Sequence, residues 1–62
     1  MDHYKVSAMG LDKKGKEIEF SITISERSSE VIPTWEKHYM LANAATRRGI
    51  ALRPPITVEL VA

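Results

Sequence analysis

Between Glu17 and Ser25, Ile18, Phe20, Ile22 and Ile24 alternate strictly with Glu19, Ser21 and Thr23. That is the period of a strand with one buried face. Upstream, Tyr4, Val6 and Ala8 alternate with Lys5 and Ser7 in the same way, and Asp12-Lys13-Lys14-Gly15 lies between the two runs. Asp favours the first position of a turn through its side-chain hydrogen bonds, and Gly can take the left-handed conformation that a type I turn with a bulge requires. The pattern predicts a β-hairpin over residues 3–25.

Pro33 keeps the residue before it out of the helical region, so residues 26–33 read as a loop. Thr34 is then placed to act as a helix N-cap. From Trp35 onward, 100° per residue puts Trp35, His38, Tyr39, Leu41, Ala42, Ala45 and Thr46 on one side. Glu36, Lys37, Asn43, Arg47 and Arg48 fall on the other, which predicts an amphipathic helix over 34–48. Gly49 ends it, Arg47 and Arg48 suit the negative end of the helix dipole, and Ile50 can fold back on the last turn. After the stiff segment Arg53-Pro54-Pro55, Ile56, Val58 and Leu60 alternate with Thr57 and Glu59, a third strand over 55–61.

The order strand, strand, helix, strand predicts an α+β fold, ββαβ. If the helix carries the chain back across the sheet, the third strand lies antiparallel beside the first. The result is a three-stranded antiparallel sheet of order 2-1-3 with one helix packed on one face. Tyr4, Val6, Ile18, Phe20, Ile22, Ile24, Ile56, Val58 and Leu60 form its inner face, covered by Trp35, Tyr39, Leu41, Ala42 and Ala45. The outer face is polar.

Composition bounds what such a fold can do. The 62 residues make a single small domain, 1–62, and the 44% hydrophobic content argues against disorder. Nine Lys and Arg against eight Asp and Glu leave a net charge of +1, too small for binding driven by bulk charge. Without cysteine the chain has no disulfide, thiolate metal site or cysteine nucleophile, which suits a reducing compartment. No apolar run approaches a bilayer-spanning length, and no secretory signal pattern opens the chain, so the expectation is a cytoplasmic protein with no membrane partner.

No motif identifies a family or a catalytic constellation. His38 and Glu36 are two apart on a helix and diverge, and no serine sits in a nucleophile elbow, so an enzyme is not expected. No cofactor or structural metal is expected either. Met1-Asp2-His3 could offer an amino group, two amides and an imidazole to Cu(II) or Ni(II), an arrangement that reads as adventitious. His38, at the margin of the apolar stripe, reads as an ordinary half-buried histidine.

The remaining features point to binding. Residues 31–62 hold four basic and two acidic side chains, +2, and residues 1–30 hold five and six, −1. Met40 stands on the polar helix side without a core to enter, and methionine adapts to irregular contacts. Glu36, Lys37, Met40, Asn43, Arg47 and Arg48 are therefore the expected partner-binding face. Lys37, Arg47, Arg48 and Arg53 are the alternative, a nucleic-acid-binding set. Met9 and Val61 are apolar residues left on the polar sheet face. The second strand, long and free of Pro, would be an open edge for a protein partner or a second copy. The chain thus reads as a small non-enzymatic protein-binding or regulatory module, a homodimer being the favoured form. The alternative is a nucleic-acid-associated module using the basic end of the helix.

Overall fold

A computed structural model describes residues 1–61. It contains β1 (Asp2–Leu11), β2 (Glu17–Glu26), α1 (Thr34–Arg47) and β3 (Ala51–Leu60). The sheet has the order β2-β1-β3, with β1 antiparallel to both neighbours. This is the expected ββαβ topology. The hairpin turn is fastened by Asp12, whose Oδ1 accepts the amides of Lys14 at 2.8 Å and Lys16 at 2.9 Å. The Gly15 amide donates to the Asp12 carbonyl at 3.0 Å, closing the turn.

The helix begins and ends by different means. Thr34 makes no capping bond: Pro33 holds the N-cap position at φ −65° and ψ 155°, and no side chain caps the end. The Pro33 carbonyl instead accepts the amides of Glu36 and Lys37. Its fixed φ and extended ψ set the first turn, which leaves the threonine hydroxyl no role there. At the other end Gly49, at φ 71°, sits where a side chain would be strained, and the Ile50 amide folds back on the Ala45 carbonyl at 2.9 Å. The fold-back and the stop at glycine are as the pattern predicts.

The third strand starts earlier than expected. It runs from Ala51, through Pro54 and Pro55, and the β1–β3 register shifts between Ser7 and Met9, where the prolines lie opposite. Prolines lack the amide a ladder needs, so a strand can include them only at an edge or a bulge, and β3 supplies both.

Val6, Ala8, Phe20, Ile24, Leu41 and Ala45 form the core between sheet and helix, with Ile22, Ile32, Ala44, Ile50, Leu52, Ile56 and Val58 packed at its margin. A helix of this length is about 21 Å long. The ten-residue strands reach about 33 Å, so α1 covers roughly two-thirds of the sheet. Leu60, expected inside, lies exposed at the end of its strand.

The rotation of α1 departs most from expectation. Trp35 is 70% exposed and Tyr39 61% exposed, and Ala42 also faces solvent. Lys37, expected outside, is buried together with Leu41 and Ala45, and Ala44 is half-buried beside them. Residues 37, 41, 44 and 45 follow the helical repeat as closely as 35, 39, 42 and 46 do. The helix therefore has two apolar seams, and the seam carrying a lysine is the one that faces the sheet.

Candidate interaction surface

A buried charge pair lies on the seam that faces the sheet. Glu26 lies at the end of β2 in phase with Phe20, Ile22 and Ile24, so its side chain enters the inner layer. Lys37 lies four residues before Leu41 on the inner helix seam. Lys37 Nζ meets Glu26 Oε2 at 3.2 Å, and both side chains are more than nine-tenths buried. The ammonium also stands 3.7 Å from the centre of the Tyr4 ring, a cation–π contact. Glu26 Oε2 accepts the Ile32 amide at 2.7 Å, and Oε1 accepts the Tyr4 hydroxyl at 3.4 Å.

The Glu26 carboxyl is held below the usual glutamate range, first by the Ile32 amide and then by the hydrogen bond and charge of Lys37 and the Tyr4 hydroxyl, against the opposing effect of burial. One carboxylate thereby ties β2 to the loop before α1 and to the helix itself. Removing either charge leaves its partner buried and uncompensated, so the pair, together with Leu41 and Ala45 in the core, opposes any other rotation of the helix.

With α1 locked in this way, its opposite seam forms a solvent-facing ridge. Trp35 and Tyr39 stand one turn apart on it, followed by Ala42 and Thr46. Glu36, Asn43 and Arg47 are exposed along one flank, and Met40, 39% exposed, lies at the boundary between that flank and the core. Of the expected partner-binding face, then, Glu36, Asn43 and Arg47 are brought together beside the ridge, with Met40 at its edge. Lys37 is withdrawn into the core. Arg48 turns toward the sheet, its guanidinium 5.5 Å from the centre of the Phe20 ring.

The alternative basic set does not form one patch. Lys37 is buried, and Arg53 lies on β3 opposite Met9, on the sheet face away from the helix, paired with Glu17 at 3.2 Å. Arg47 is left on the helix exterior and Arg48 against Phe20. That outer sheet face also carries a Lys5–Glu19 contact at 3.9 Å; both exposed pairs contribute little to stability. Met9 and Leu11 are adjacent apolar residues there, each a little over one-third exposed. Val61, just beyond β3, donates its amide to the His3 carbonyl at 2.9 Å.

His3 Nδ1 lies 2.9 Å from Ser25 Oγ, across the β1–β2 ladder. His38 is half-buried. Among the described residues no pocket forms and no group of three metal-ligating side chains converges. No helix among the described residues is long and apolar enough to cross a membrane.

The aromatic ridge is the feature that pattern reading misses, because Trp35 and Tyr39 are assigned to the core by residue type. The signal that would have found it is the pairing of opposite charges. Glu26 continues the inward alternation of β2, Lys37 occupies the turn before Leu41, and together they mark the true inner seam. Comparison of the chain with protein families, with curated proteins and with solved structures gives no match.

Proposed function

We propose that the chain is a small, non-catalytic protein-binding module whose contact surface is the exterior of α1, centred on Trp35 and Tyr39. The observation that carries this reading is the exposure of two large aromatic side chains one turn apart on a helix whose opposite seam is already packed. Aromatic side chains are enriched where proteins meet, and tryptophan and tyrosine dominate the binding energy of contacts they enter. Glu36, Asn43, Arg47 and the partly exposed Met40 supply a mixed rim. The open edge of β2 is a secondary surface, able to accept an added strand.

Capture from the source cell, with and without nuclease, tests the reading. Partner recovery should survive nuclease and be lost with Trp35→Ala or Tyr39→Ala. A nucleic-acid partner would instead give binding that is lost with nuclease, falls steeply with salt and weakens with Arg47→Ala. Recovery unaffected by removal of either aromatic would reject the ridge.

A further inference from the structure

We propose that the occupant of the α1 ridge is the same ridge on a second copy, the two helices crossing antiparallel about a two-fold axis. This deepens the protein-binding reading and rests on it. Three observations choose the occupant.

The first is size. Trp35, Tyr39, Ala42 and Thr46 are spaced four, three and four residues apart, the rhythm of a helix-pairing seam. The two large residues stand at the N-terminal half and the two small ones at the C-terminal half. An antiparallel pair places Trp35 of one copy over Thr46 of the other and Tyr39 over Ala42, large into small at every level. A parallel pair would set Trp35 on Trp35 and leave Ala42 facing Ala42 across a gap.

The second is charge. Glu36 and Arg47 lie on the same flank at opposite ends of the seam, eleven residues or about 16 Å apart. Neither has an ion-pair partner among the described residues. Antiparallel crossing brings Glu36 of each copy to Arg47 of the other, so both charges are paired twice by symmetry.

The third is that the small half of the seam presents no unpaired hydroxyl. The one hydroxyl on the small half, that of Thr46, donates to the Ala42 carbonyl at 2.9 Å, so covering it strands no donor. The two rings and their neighbours would bury about 400–500 Å² per copy, short of the roughly 800 Å² per partner of a standard stable interface. The dimer is therefore weak and reversible.

Sedimentation equilibrium over the micromolar to millimolar range tests this, with the emission of Trp35 followed at the same concentrations. Circular dichroism verifies that each variant keeps its helix. The parent should pass from monomer to dimer while the tryptophan emission moves to shorter wavelength. Trp35→Ala should weaken association at least about thirtyfold, the effect of losing a central aromatic anchor. Glu36→Arg and Arg47→Glu should each weaken it about fivefold or more, since each converts both symmetric pairs to repulsions. An equimolar mixture of those two variants should recover the parent affinity, the positive flank of one meeting the negative flank of the other. A parent that stays monomeric throughout overturns the second copy as occupant, and leaves the ridge as a contact for another protein if capture still depends on Trp35. Dimerisation insensitive to Trp35→Ala overturns the proposal, as does dimerisation insensitive to both charge reversals, which removes the antiparallel crossing.

Discussion

Truncation of Leu41 to alanine should be among the most damaging single changes in the helix, and truncation of Trp35 among the least. Leu41 is fully buried, while Trp35 is 70% exposed. Leucine-to-alanine changes in buried sites cost about 2–5 kcal/mol, the spread reflecting how far the surroundings collapse into the space. Here one helix lies on one sheet with open flanks, so collapse is easy and the lower half of that range, about 2–3 kcal/mol, applies. A domain of this size has roughly 3–9 kcal/mol of stability in total. At about 4–8 °C per kcal/mol the melting temperature should fall by about 10–20 °C. Trp35→Ala and Tyr39→Ala, by contrast, should each change stability by no more than about 0.5 kcal/mol. Urea unfolding followed by far-ultraviolet circular dichroism measures all three, at concentrations low enough that association adds nothing. A Trp35→Ala or Tyr39→Ala cost equal to that of Leu41→Ala would refute the helix rotation, and with it the ridge.

Three further outcomes follow from the geometry. Because the Glu26 carboxyl is held below its ordinary value near 4.5, its contribution to stability is complete above that value and is lost as pH falls through the lower folded value. Glu26→Gln should therefore melt lower than the parent at neutral pH, with the gap closing on acidification; a gap constant across thermal melts from neutral to strongly acid buffer would refute the pairing. As the sole tryptophan, Trp35 should emit in dilute solution like a solvated indole, be quenched freely by acrylamide and shift little on denaturation, whereas a large red shift in urea would place it in the core. Finally, Gly10→Ala would set a Cβ 2.6 Å from the Ala51 carbonyl oxygen, with the Ala51 carbonyl carbon and Leu52 Cα both at 3.2 Å. Backbone on the neighbouring strand cannot yield as a side chain can, so the cost should be about 1–3 kcal/mol by denaturant titration, and a neutral result would show β1 and β3 to be further apart.

The strands were legible because alternation is a local property. Ile18 to Ile24 show their buried face without reference to anything else, and the sheet order follows once the helix carries the chain back across the sheet to the free side of the first strand. Gly49 likewise ends α1 for reasons contained in the two turns around it. The rotation of the helix was not local. Its inner seam includes a lysine whose burial is tolerable only because Glu26, across the loop, arrives at the same place. A reading that counts lysine as polar and tryptophan as core turns the helix the wrong way. The start of β3 was hidden for a related reason, since prolines in sequence argue against a strand until the strand is known to lie at an edge. Of the six helix residues expected to face outward, Glu36, Met40, Asn43, Arg47 and Arg48 are exposed and Lys37 alone is buried, while Trp35 and Tyr39, which pattern reading places inside, stand on the exterior.

The two prolines of β3 also decide how large an assembly the sheet itself can build. The edges of the sheet differ: β2 offers an uninterrupted row of backbone groups, whereas β3 is broken at Pro54 and Pro55 and shifted in register there. If two copies join through β2, the six-stranded product ends in a β3 strand on either side. Both termini then lack the continuous donors that a further strand would read. Growth by strand pairing then stops at two copies, because the edge left on either side is the one that Pro54 and Pro55 interrupt.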